Sequence, residues 1–116
     1  MSDQSLKEKV FAASPAQLIL MLMDSAVEAL SMAAAQYRAG AYDAASPHLA
    51  KARPILAELL RCVKPDVGEI GANMQTVYAS IGVQLDKAVT AKDAAALDHA
   101  LRMLTELRDT WMTISR

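Results

Sequence analysis

Ser14-Pro15-Ala16-Gln17-Leu18-Ile19-Leu20-Met21-Leu22-Met23, running on to Tyr37, decides the fold of this chain. Ser14 suits a helix N-cap, because its hydroxyl can accept a backbone N–H that has no partner inside the helix. Pro15 suits the first helical position, where its missing N–H costs nothing. Gln17, three residues after the cap, completes a capping box. Neither Gly nor Pro interrupts the segment before Gly40, a suitable C-terminal stop. The predicted helix is about 36 Å long. Ile19, Met23, Ala26, Leu30, Ala33 and Tyr37 form one apolar stripe at 3-4 spacing, and Leu18 and Leu22 broaden it. Leu20 and Met21 fall instead toward the side that carries Asp24, Glu28 and Ser31. Either this helix is covered on most sides, or it leaves an apolar strip for something else to cover.

Outward from that helix, three more follow. Tyr42-Asp43-Ala44-Ala45 leads to Ser46-Pro47, which reads as a second Ser-Pro helix start. Leu49, Ala52, Leu56, Leu59 and Val63 share one face of this second helix, opposite Lys51, Glu58 and Arg61. Pro54 removes an interior backbone bond and should bend it. Lys64-Pro65-Asp66 ends the element, and Asp66 with Glu69 forms another capping box. The third helix, Val67 to Ala91, aligns Ile70, Met74, Val77, Ile81, Leu85 and Ala88. Gly71 and Gly82 lie inside it at about 1 kcal/mol each relative to Ala, a cost often tolerated where another backbone approaches closely. After a break at Lys92-Asp93, the fourth helix turns Leu97, Ala100 or Leu101, Leu104, Leu107, Trp111 and Ile114 inward. No useful stretch alternates with the period of a half-buried strand. The expectation is an all-α, mainly antiparallel four-helix bundle in a single domain spanning residues 1–116. Residues 1–13 read as loosely ordered, with at most a short extra helix around Leu6–Val10. Val10 and Phe11 are placed to staple the first helix.

Composition agrees. The chain of 116 residues is 53% hydrophobic, rich in Ala and poor in aromatics, which favours helix. A net charge of −1 argues against a nucleic-acid surface or an anionic-membrane binder. No apolar run approaches the eighteen or so residues needed to span a bilayer, so no stable membrane insertion is expected. The polar, mixed-charge start is unlike a signal peptide, and the lone Cys62 makes no internal disulfide. A cytoplasmic protein is the expectation.

Catalytic constellations are sparse. His48 and His99 have no Cys or second His at ligand spacing, so neither metal nor cofactor is expected. His48-Leu49-Ala50-Lys51-Ala52 has a faint likeness to a phosphoacceptor histidine followed by lysine. However, Ala52 stands where glycine is expected, and His48 reads as lying at a helix start. Asp24 with Glu28, and Asp98 with Arg102, sit at i,i+4 as solvated surface groups rather than acid–base pairs. Cys62 reads as a packing residue. Met21, Met23, Met32, Met74, Met103 and Met112 fall within predicted helices, where thioethers fill cores and also suit surfaces that accept another chain's helix.

Taken together, the segments resemble the FliS family of flagellin export chaperones from about Val10 to Trp111. Ala12-Ala13-Ser14-Pro15 with the leucine-rich helix after it is similar to the family's opening segment. Lys51-Ala52, Ile55, Glu58 and Leu59 match its second segment. Gly68-Glu69-Ile70, Asn73-Met74 and Val77-Tyr78 resemble its third, and Arg108-Asp109-Thr110-Trp111 its C-terminal Arg-x-x-Trp. The chain departs at Met23-Asp24-Ser25, where the family commonly has Tyr-Asp/Asn-Gly. It departs again at Ser5 and Leu6, where the family usually carries a tyrosine in a segment thought to cover the empty groove.

The resemblance implies a non-enzymatic cytoplasmic chaperone for the disordered C-terminal segment of flagellin. It would prevent premature polymerisation and help present the subunit to the export gate. The partner-binding candidates are Leu20 and Met21 from the first helix, Ile55 and Leu59 from the second, and Asn73, Val77 and Tyr78 from the third. Arg108 and Trp111 are expected to be structural. Two competing classes stay open: a phosphotransfer domain with His48 as nucleophile, and a non-catalytic helical adaptor.

Overall fold

A computed structural model describes residues 15–62 and 69–114, with side chains over 17–62 and 73–113. The expected staple at Val10 and Phe11, the Ser14 cap and the Asp66–Glu69 capping box lie outside the described residues. Four helices and no strand are found among those described: α1 (Pro15–Arg38), α2 (Tyr42–Cys62), α3 (Glu69–Ala91) and α4 (Ala94–Ile114). The all-α four-helix architecture read from the sequence is the observed one.

Two connections are built the same way. Gly40, at φ 74°, follows α1. Its N–H donates to the Tyr37 carbonyl at 3.0 Å, and the Ala41 N–H donates to the Gln36 carbonyl at 2.8 Å. This is the Schellman arrangement, in which a left-handed residue turns the chain out and satisfies the last carbonyls. At the end of α3 the Asp93 N–H donates to the Ala88 carbonyl at 3.0 Å, and Lys92 takes the left-handed position at φ 51°. Asp93 then caps α4, accepting the Ala96 N–H on its carboxylate at 3.2 Å.

The first turn corrects one expectation. α2 begins at Tyr42 rather than at Ser46-Pro47, so both Pro47 and Pro54 lie inside it. Tyr42 draws the helix start forward by packing edge-on against Tyr37, ring centroids 5.0 Å apart. Proline at positions 47 and 54 leaves the carbonyls of Asp43 and Ala50 without their helical donors. All four residues are on the exposed side of α2, where water can serve those carbonyls. His48 therefore sits in the second turn of α2, half-buried, and not at a helix start.

The core is continuous across the four helices. Met23, Ala26, Leu30, Ala33 and Tyr37 of the expected α1 stripe are buried, and Ile19 packs against them. Ala29 and Ala34 are buried too, because α1 faces two partners, α2 and α4. Small side chains on both sides (Ala26, Ala33, Ala45, Ala52) let α1 and α2 come close, and this is the most extensive seam. Leu97, Ala100, Leu104 and Leu107 of α4 and Ile81, Leu85 and Ala88 of α3 complete the interior. Truncating a fully enclosed member such as Leu30 to Ala should cost about 2–5 kcal/mol.

By length and composition α1 is apolar enough to cross a bilayer from Gln17 to Arg38, which corrects the expectation that no run approaches that length. Met23, Ala26, Ala29, Leu30, Ala33, Ala34 and Tyr37 of this span are buried in the core, while Leu18, Leu20, Met21 and Leu22 are half-buried.

Ion pairs fix the helix directions. Arg38 near the end of α1 meets Asp98 near the start of α4 at 2.7 Å, while Asp24 near the start of α1 meets Arg108 near the end of α4 at 3.4 Å. α1 and α4 therefore run antiparallel. Asp98 is thus engaged by Arg38 across helices, beyond its i,i+4 relation to Arg102. α1 packs on α2 and on α4, and α4 packs on α3, but α2 and α3 touch only lightly. Three seams are sealed and the fourth is loose.

Candidate functional site

The loose seam is a groove. Arg53, Leu56, Ala57 and Leu60 of α2 form one wall, and Tyr78, Ala79, Gly82 and Leu85 of α3 form the other, around a cavity of about 200 Å³. Helical spacing explains the composition. Residues 53, 56, 57 and 60 are one turn apart on a single stripe of α2, and 78, 82 and 85 form the facing stripe of α3. Leu56 and Leu85 reach the core from the groove floor, while Leu60 is 38% exposed at the rim. A Cβ added to Gly82 would meet no atom within 4 Å. Gly82 thus faces open space, and among the described residues no backbone uses the approach it permits.

Tyr78 is the unusual member. Its side chain is 5% exposed, and its hydroxyl is closed to solvent with no hydrogen-bond partner among the described residues. Such a group ordinarily carries a desolvation penalty, of about 1–3 kcal/mol. Burial pushes the phenol well above its ordinary range, and negative charge on nearby Cys62 adds in the same direction. The hydroxyl therefore stays protonated and remains a donor. Across the seam Arg53 and Asp86 pair at 3.0 Å, matching the two charges that flank the groove to each other.

On its other side α3 forms a second concavity with α4, of about 270 Å³, where Val77 faces Met103 and Leu107. Between the two, along the outer face of α3, Thr76, Ala79, Ser80, Val83 and Gln84 line a shallow third concavity. Val83 is 63% exposed, an apolar residue that none of the described residues covers.

The predicted binding residues are divided by this geometry. Tyr78 lines the first groove and Val77 the second. Asn73 is exposed on α3. Ile55 is half-buried and packs against the core, one residue from the groove wall. Leu59 is 1% exposed, because its position on α2 coincides with the core stripe of Ala52 and Leu56, so it supports the fold from within. Leu20 and Met21 are half-buried on α1 and are not among the residues lining either groove. Leu60, Ala57, Ala79 and Val83 were not singled out in the sequence. The available signal was the pair Leu59-Leu60, which puts one leucine inside and forces the next outward. Arg108 ties α4 to α1 through Asp24, and Trp111 is half-buried against the core, as befits structural residues.

The arrangement offers no assembled acid, base and nucleophile. It offers apolar walls, a buried unsatisfied donor and an exposed Val83 on the outer face of α3, which is what an incoming polypeptide needs. Against known proteins, the chain matches the model of the family described as flagellar protein FliS over residues 1–116. It is 32% identical over 113 residues to the flagellar secretion chaperone FliS of Salmonella typhimurium, covering 96% of this chain and 84% of that protein. It is 29% identical over 108 residues to the flagellar secretion chaperone FliS of Vibrio cholerae, covering 92% of this chain and 79% of that one.

Proposed function

The chain belongs to the FliS family of flagellar proteins, and from that premise we propose that it is a flagellar secretion chaperone, not an enzyme, whose client is flagellin. In this reading it binds the disordered C-terminal segment of flagellin in the cytoplasm, keeps that segment from polymerising early, and passes the subunit to the export gate. The observation that carries the reading is the loose α2–α3 seam, an apolar groove beside the exposed Val83 of α3. An amphipathic segment that gains helix on docking can bury its apolar face there. The ordering cost of such coupled folding keeps net affinity modest, which suits a client that must later be released. In this reading Tyr78 and Val77 meet the client on the two sides of α3, Ile55 and Asn73 lie beside the groove, and Leu20 and Met21 supply further apolar surface along α1.

Titration calorimetry with monomeric flagellin tests this. One-to-one binding with a clearly negative heat-capacity change and modest salt dependence is expected. Flagellin truncated at its C-terminus should bind far more weakly. Equal binding with and without that segment would overturn the proposal.

A further inference from the structure

Resting on the client reading above, we infer that the Tyr78 hydroxyl is a specificity element of the α2–α3 groove, donating a hydrogen bond to an acceptor on the docked client helix. Three observations define that occupant. The hydroxyl is buried and unpartnered among the described residues, at the wall of a groove whose remaining lining from Leu56, Ala57, Leu60, Ala79 and Leu85 offers no side-chain acceptor. The open space over Gly82 admits a close backbone, which requires a small residue on the facing surface of the client. Arg53 and Asp86 are already matched to each other, so charge complementarity favours an uncharged client face. The occupant is therefore an uncharged amphipathic helix bearing a small residue opposite Gly82. It carries an Asn, Gln or Ser oxygen, or a carbonyl freed at a helix end, level with Tyr78. Side-chain rearrangement of the kind common at interfaces brings the hydroxyl to that acceptor.

The free chain carries the unsatisfied hydroxyl and the complex satisfies it, so removing the hydroxyl should act in opposite senses on the two states. Tyr78→Phe should leave the melting temperature of the free protein unchanged or raised. It should weaken binding of the C-terminal flagellin segment about tenfold. A structural tyrosine with a hidden partner would instead lose stability on this substitution. The measurements are thermal unfolding of the free chains and titration calorimetry of wild type and variant with the isolated flagellin segment. A lowered melting temperature, or affinity equal to wild type, overturns the inference. Gly82→Leu supplies a second arm. It adds helix propensity in open space, so the chain should fold, yet it fills the approach and should weaken binding about tenfold or more. Unchanged affinity in that variant also overturns the inference. No binding by the wild-type chain would end the client reading itself, an outcome distinct from equal binding by wild type and variants.

Discussion

Arg53 of α2 and Asp86 of α3 meet at 3.0 Å across the seam that the bundle packs most lightly. They are 42% and 72% exposed, so water screens the attraction. An exposed pair of this kind contributes about 0–1 kcal/mol. Arg53→Met should therefore change unfolding free energy by less than about 1 kcal/mol in urea titrations. A loss above about 2 kcal/mol would mean that the pair clamps the groove, and that the seam depends on it.

Leu60 is the groove residue whose role in binding separates best from stability. It stands at the rim, and the core does not depend on it. Leu60→Asp puts a charge against the client's apolar face and should weaken flagellin binding by at least about 1 kcal/mol, with circular dichroism and melting temperature little changed. Ile55→Asp is the contrasting case. Ile55 packs partly against the core, so its substitution should cost fold stability along with affinity. Binding unaffected by Leu60→Asp would move the client off this groove.

Alkaline titration reads the environment of Tyr78. Its phenol is raised above the ordinary value of 10.0 by burial, so between that value and the raised one the folded chain retains a proton that the unfolded chain has lost. Folding free energy is therefore intact below pH 10 and declines as pH rises from there, by up to about 1.4 kcal/mol per unit from this group. Tyr78→Phe should lack that component. Parallel stability curves for wild type and variant from pH 9 upward would contradict the burial.

Lys92 occupies the left-handed position between α3 and α4 at φ 51°. A residue with a Cβ is strained there by about 1–2 kcal/mol, and glycine is not. Some of that gain is lost to the larger freedom of glycine in the unfolded chain, and some to the ammonium that sits 5.5 Å from the Tyr42 ring centroid. Lys92→Gly should still stabilise the bundle by roughly 0.5–1 kcal/mol, measured by denaturant midpoint at constant slope. Destabilisation would show that the Lys92–Tyr42 contact outweighs the backbone term.

Helix count, the apolar stripes of α1 and α4, and the stops at Gly40 and Lys92-Asp93 were legible because each rests on local chemistry: period, cap and left-handed turn. The start of α2 was not. Ser46-Pro47 has the local signature of an N-terminus, but the Tyr37–Tyr42 contact outweighs it, and that contact exists only once the hairpin closes. The residues that line the α2–α3 groove were legible by element and not by face. A stripe such as Leu56, Leu59 and Leu60 tells which residues are apolar, but not which lie against α1 and which against the gap toward α3. That depends on how far apart the helices settle, a property of the whole bundle. Gly82 was visible as an anomaly in a helix, and only the packing told which space it opens.

The two prolines of α2 carry a consequence for how the groove wall yields. Pro47 and Pro54 each remove one ladder bond, so the middle of α2 has fewer backbone bonds holding it than an uninterrupted helix. Local opening should therefore require less free energy there than in α1, whose span from Pro15 to Arg38 has no internal break. Amide protons from His48 to Arg53 should exchange with solvent deuterium sooner than those from Ala26 to Ala34. The same missing rungs should let one wall of the groove change its curvature more readily than the α1–α4 half of the molecule.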